Sequence, residues 1–170
     1  MTANVEQLKA AQAPLKERYR STPGAALVRL HAEGALGEGV SCSVATGKAL
    51  VEAGLHPATG GAGTQACSGD MLLQALVACA GVTLSAVATS MGLDVQGGQL
   101  RAEGDLDFRG TLGVAKDVPV GFQDIHLQIT LQTTASPEQL NKLLELTERY
   151  CVVLQTLKAA IPVRASLARA

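Results

Sequence analysis

The residues that could do chemistry here are few: four cysteines at 42, 67, 79 and 151, three histidines, and a carboxylate, Asp70, next to a long apolar stretch. The cysteines form no Cys-x-x-Cys pair and have no histidine at ligand spacing, so zinc is not indicated. Four cysteines in 170 residues do not make a disulfide scaffold, and the thiols read as reduced ones in a cytoplasmic protein. A thiol of that kind is a small core hydrophobe or, where its pKa is depressed, a nucleophile. Cys79 has Ala75, Leu76, Val82 and Thr83 at helical spacing, a small and mainly apolar setting that by itself favours packing. It also lies well past the first turn, where the helix dipole has faded. Asp70 sits where a carboxylate complements that dipole. His56, beside Pro57 in a Gly-rich loop, is either solvated or part of a site mouth.

The elements that must position these residues follow from pattern. Residues 4–20 read as a weakly amphipathic helix containing Pro14, closed by Pro23-Gly24. Residues 25–32 alternate as a half-buried strand, 34–39 as a hairpin turn, and 40–45 as its return. Ser68 suits an N-cap for the helix that follows, and Gly92 a terminator. Strands are expected at 95–108 and 121–134, the second alternating Ile125, Leu127, Ile129 and Leu131 with polar residues. Ser136-Pro-Glu-Gln139 is a capping box with proline at the first helical position. It opens a helix running to about Ala160 with Leu140, Leu143, Leu144, Thr147, Cys151 and Leu154 on one stripe. Pro162 ends it, and residues 163–167 suggest a last strand. No repeat or linker divides the chain. One α+β domain is expected over 1–170, with 1–24 as a helical extension.

Composition narrows the function. Net charge is −1, aromatic residues are 2%, and charged residues are 17%. Stacking platforms and basic surfaces for nucleic acid are therefore not expected. The interval 71–93 has no charged residue and is long enough to span a bilayer. Polar Gln74, Thr83, Ser85, Thr89 and Ser90 dilute it, and no basic flank or aromatic belt anchors it. It reads as a buried helix, with no membrane partner and no secretory leader. So apolar a helix in a chain this size argues for burial against a second copy, an intimate homodimer.

The stretch Cys67-Ser-Gly-Asp-Met-Leu-Leu-Gln-Ala-Leu-Val-Ala-Cys79 resembles the entry to the central helix of OsmC-like proteins, which include the organic hydroperoxide resistance proteins. Glu148-Arg-Tyr-Cys151-Val-Val, followed by Gln155-Thr-Leu-Lys, resembles the family's second-cysteine helix. The resemblance covers most of the chain from about Leu27. It implies two long central helices packed on antiparallel sheet in an intertwined homodimer. It also implies that Cys79 is the reactive thiol and Cys151 its disulfide partner. The implied reaction is reduction of an organic hydroperoxide, with an external thiol, often a dihydrolipoyl group, as reductant and no cofactor or metal.

The chain departs from the family pattern in two places. The family's Pro-Glu pair, about ten residues before the reactive cysteine, falls on Ser68 and Gly69, which leaves Asp70 as the nearest acid. The arginine that this Glu holds against the thiolate has no match; Arg29, Arg101 and Arg109 are loose candidates. Asp70 is accordingly carried as a third candidate site residue. The departures also suit a second reading, a non-enzymatic OsmC-like protein that binds an apolar small molecule at its dimer interface.

Overall fold

The uncharged stretch after Asp70 forms one helix, α2 (Ser68–Ser90), and the other elements are arranged around it. The structure, a computed structural model, describes residues 5–36, 42–44 and 53–169. Before α2 come α1 (Val5–Ser21), β1 (Leu27–Leu36), β2 (Cys42–Val44), β3 (Ala53–Gly54) and β4 (Ala66–Cys67). After it come β5 (Val95–Asp107), the short α3 (Phe108–Thr111), β6 (Asp124–Thr133), α4 (Pro137–Tyr150) and α5 (Val152–Lys158). The class is α+β.

An antiparallel sheet in the order β2-β1-β5-β6 carries the helices on one face. Register sets the layer: Leu100 pairs with Ile129, Ala102 with Leu127 and Gly104 with Ile125, all on the side that α2 covers. Along β6 the alternation is regular, with Ile125, Leu127, Ile129 and Leu131 half-buried and their neighbours exposed. Gly104 is required by contact, because a Cβ there would come within 2.5 Å of the Phe122 ring. From α2, Leu73, Leu76, Val77, Ala80, Leu84 and Ala88 are buried. Each buried Leu or Val contributes about 1.5–3 kcal/mol by leaving water. Half of the helix's most apolar stretch is buried inside the fold, and α2 is a core helix. Gly92, with φ of +66°, ends it in the left-handed conformation, and the Leu93 N–H donates to the Ala88 carbonyl at 3.0 Å.

The N-terminal helix packs closely on the loop before α2. Tyr19 is buried and its hydroxyl donates to the Ala58 carbonyl at 2.7 Å. Burial pushes that phenol's pKa up. His56 stacks on Phe108 with ring centres 5.0 Å apart, and its Nδ1 accepts from the Ala58 N–H.

Four expectations change. Strand β1 begins at Leu27 and runs to Leu36, because its pairing with β5 continues to Ala35 opposite Gln99. The expected turn at 34–39 lies partly outside the described residues, although Leu36 does pair with Cys42. The N-cap of α2 is Cys67 instead of Ser68. The single helix expected from Ser136 to about Ala160 is interrupted: Cys151 takes φ −71° and ψ 105°, ending α4 and starting α5. Two β-branched residues, Val152 and Val153, follow it and propagate a helix poorly. The last strand, at 163–167, does not form; Val163 is 86% and Leu167 99% exposed.

The capping box at Ser136 is present in both directions, with Gln139 Oε1 accepting from the Ser136 N–H at 2.8 Å. Denaturant unfolding should therefore find Ser136→Ala destabilised by about 1 kcal/mol. Leu143→Ala, at a side chain only 1% exposed, should lose about 2–5 kcal/mol.

Candidate functional site

Cys79 is about three turns into α2, half-buried, on the side that α4 and α5 cover. Cys151, at the α4–α5 break, is completely buried. The chain brings the two thiols side by side across 72 positions of sequence, close enough that each shifts the other's titration. Cys67 is a free half-buried thiol at the head of α2, and Cys42 lies in β2 opposite Leu36.

The break is what makes the pair. A residue that starts a helix leaves the next N–H groups without intrahelical acceptors. At the start of α5 those are the N–H groups of Val152 and Val153, and both lie near enough to the Cys79 sulfur to favour its charged form. The Thr83 hydroxyl, one turn further along α2, acts on the thiol in the same sense. Burial pushes the Cys79 thiol up. The Val153 N–H, the Cys151 thiol, the Thr83 hydroxyl and the Val152 N–H together outweigh it and hold Cys79 below its ordinary value. Cys151 goes the other way: burial lifts it to about 11, and the neighbouring Cys79 adds to the effect. One thiol is tuned to ionise and the other to stay protonated as a donor.

Side chains brace the break from outside. The Gln155 amide donates to the Glu148 carbonyl at 2.8 Å, and Lys158 pairs with the Glu148 carboxylate at 2.8 Å. The Cys151 N–H donates to the Thr147 carbonyl, and the Gln155 N–H to the Cys151 carbonyl, both at 2.9 Å. The two contacts to Glu148 tie α5 to α4 across the break.

The arginines considered from sequence are engaged elsewhere. Arg29 contacts Asp105 at 3.2 Å, and Arg101 contacts Glu103 at 3.2 Å. Arg109 forks onto buried Asp107, its Nε 3.0 Å from both carboxylate oxygens, and that pairing holds the Asp107 carboxyl below its usual range. Asp70 is not brought to the thiols. It occupies the first turn of α2, nine residues before Cys79, which is about 13 Å along the axis and on the opposite side of the helix. It forms no ion pair among the described residues.

Sequence reading missed three participants: Thr83 and the N–H groups of Val152 and Val153. Thr83 was visible at four residues from Cys79 but passed as part of an apolar face. The N–H groups had no signal, since they act only because the helix breaks. A groove of about 480 Å³ runs between β6 and α4–α5; neither cysteine lines it, and its walls combine Leu76, Ile129 and Leu154 with Asp124, His126 and Lys158.

The family model for OsmC-like proteins matches residues 61–166, an interval that contains both cysteines. In fold, the chain is similar to the crystal structure of an OsmC-like hydroperoxide resistance protein from Jannaschia sp. CCS1. That similarity has a TM-score of 0.62 and 19% sequence identity, over 85% of this chain and 95% of that one. No curated protein matches the chain significantly in sequence.

The opposed pKa shifts give a measurable order of reactivity. Alkylation needs the thiolate, so its rate rises with pH until the thiol is fully ionised. In reduced protein, iodoacetamide should label Cys79 with a midpoint below the ordinary 9.0 of a cysteine thiol. Cys151 should stay unlabelled until the pH approaches 11. Peptide mapping of labelling at successive pH values checks this; equal labelling of the two at neutral pH would contradict it.

Proposed function

The chain belongs to the OsmC-like protein family, and from that premise we propose that it is a thiol-dependent peroxidase that reduces organic hydroperoxides. The observation that carries the reading is the Cys79–Cys151 pair, in which one thiol is held below its ordinary pKa and its neighbour above. The Cys79 thiolate attacks the near oxygen of ROOH, the O–O bond breaks, and the departing alkoxide takes a proton to leave as ROH. Sulfur is oxidised to the sulfenic acid by two electrons. Cys151, still protonated, condenses with it: an S–S bond forms, the S–O bond breaks and water leaves. A dithiol of the dihydrolipoyl kind then exchanges with the disulfide and restores both thiols. No cofactor or metal takes part. Small and apolar neighbours of Cys79 on α2, Ala75, Leu76 and Val82, suit an alkyl chain better than hydrogen peroxide. Asp70, remote from the sulfur, is assigned to the start of α2, where its charge complements the helix dipole.

The protein is further proposed to act as a homodimer in the cytoplasm, where free thiols stay reduced. Apolar side chains left exposed support the dimer: Met71, Leu72 and Val82 on α2, and Leu144, Val152 and Leu157 beside the groove. The interface would be of the obligate class, above about 2,000 Å². Sedimentation should find a dimer at micromolar concentration, and a stable monomer there would remove this part.

A second reading has its own support in the same groove and in the arginines taken up by carboxylates. In it the protein binds an apolar small molecule and the cysteines only pack. One equivalent of cumene hydroperoxide separates the two. The peroxidase should lose two thiols per chain rapidly, and mapping should find Cys79 joined to Cys151. No loss of thiol would favour the binder, and a dominant disulfide through Cys42 or Cys67 would overturn the site assignment. Asp70→Asn should leave the oxidation rate unchanged while costing about 0.3–1 kcal/mol of stability.

A further inference from the structure

We infer that Gln155 is a positioning residue for closure of the disulfide: its side-chain amide takes the Glu148 carbonyl that the α4–α5 break leaves open, and so keeps Cys151 beside Cys79. The inference rests on the peroxidase reading and deepens it. In an unbroken helix the Glu148 carbonyl would accept from the Val152 N–H, four residues on. The extended ψ of 105° at Cys151 takes Val152 out of that position. Two backbone bonds cross the junction, from the Cys151 N–H to Thr147 and from the Gln155 N–H to Cys151, both at 2.9 Å. Neither uses Glu148. The Gln155 amide fills the gap, donating to the Glu148 carbonyl at 2.8 Å.

That bond belongs to the broken form alone. In a straight helix residues 148 and 155 would stand about 10 Å apart along the axis, beyond the reach of a glutamine side chain, and the carbonyl would already be occupied. The continuous helix is a real competitor for this sequence. Leu140, Leu143, Leu144, Thr147, Cys151 and Leu154 keep helical spacing through the junction, so the apolar pattern itself favours continuity. A contact made in only one of two arrangements shifts the balance toward that arrangement. Lys158 adds a tie to the Glu148 carboxylate at 2.8 Å, but both side chains are largely exposed and salt screens such a pair. Gln155 is uncharged and acts on the backbone at the junction. A disulfide needs its two Cα atoms within about 7 Å, so where Cys151 sits decides how readily the bond closes.

The test reads disulfide closure without a peroxide. Reduced protein is equilibrated in mixtures of reduced and oxidised glutathione, and the Cys79–Cys151 disulfide is quantified by peptide mapping. One cysteine attacks oxidised glutathione and releases a glutathione thiol; the other then attacks the mixed disulfide and releases a second. The equilibrium gives the effective concentration of one cysteine at the other. In Gln155→Met, of similar length but with no donor, that value should fall about fivefold to tenfold. Gln155→Lys returns a donor at the same reach and should recover most of the loss. With cumene hydroperoxide, Gln155→Met should accumulate the Cys79 sulfenic acid, trapped by dimedone, where the wild type passes on to the disulfide. A merely structural role would lower the melting temperature, leave the glutathione equilibrium of the folded protein unchanged and show no recovery with lysine. If the methionine variant does not fold, Gln155→Ala removes the donor without adding bulk and is read in the same way. Equal effective concentrations in the wild type and a folded variant lacking the donor overturn the inference and leave the peroxidase reading standing. A wild type inert to hydroperoxides that still closes the disulfide in glutathione, with the loss in Gln155→Met, overturns the peroxidase reading and leaves the positioning role standing.

Discussion

The approach of Cys151 to Cys79 is the contact on which the rest of this site depends, and it is made at the break between two helices, α4 and α5. Had α4 continued through Cys151, the N–H groups of Val152 and Val153 would have bonded to carbonyls of the preceding turn. They would have had nothing to offer a sulfur on another helix. The break converts two internal groups into donors and turns the Cys151 thiol from a packing group into a neighbour of the nucleophile. Its extended ψ of 105° is held by backbone bonds on both sides and by the Gln155 and Lys158 contacts to Glu148.

That local arrangement matters only if α2 is fixed against the sheet. The helix has almost no polar face to orient it, so shape must do the work that amphipathicity does elsewhere. Alanine at 80 and glycine at 81, both buried, let other elements approach closely, while Leu73 and Leu76 pack with Leu100 and Ala102, and Leu84 with Leu143 and Leu131. Interiors packed this tightly hold rotamers and helix rotation within narrow bounds. The N-terminal helix adds a second constraint, since Tyr19 on Ala58 and His56 on Phe108 tie the loop before α2 to α1 and α3. The rotation that points Cys79 at α5 is thus set over the whole length of α2.

Much of this was legible from residues alone. The apolar stretch, the alternation in β6, the capping box and the glycine after α2 each have a local cause, and each element formed where its pattern indicated. The pairing of Cys79 with Cys151 came from resemblance, because no periodicity relates two residues so far apart. What could not be read depends on tertiary context. The interruption at Cys151 falls inside a sequence whose apolar stripe continues to Leu154, so periodicity alone argued for one helix. The strand expected at 163–167 pairs with neither outer strand of the sheet and stays exposed. Asp70 looked like a substitute for a family carboxylate because it was near in sequence, but nine residues of helix turn it to the far side.

Among the described residues no cation acts on Cys79, and the electrostatics of the site follow from the groups that do. An arginine beside a thiolate needs a carboxylate to hold it, and the pair must be desolvated together, which is expensive away from water. In this chain the buried carboxylate that holds an arginine, Asp107, is used at the end of β5, where it also caps α3 through the Arg109 N–H at 3.0 Å. Around Cys79 the charge is met instead by neutral dipoles: two peptide N–H groups, a hydroxyl and a thiol. Dipoles already oriented by helices cost little further reorganisation when the thiolate forms. They also carry no counter-charge that salt could screen. The trade is in precision, because a dipole's influence depends on its direction as well as its distance, whereas a point charge acts from any angle. A site built this way must have its helices held rigidly, and the close packing of α2, the two ties to Glu148 across the Cys151 break and the latch from α1 are the features that meet that demand.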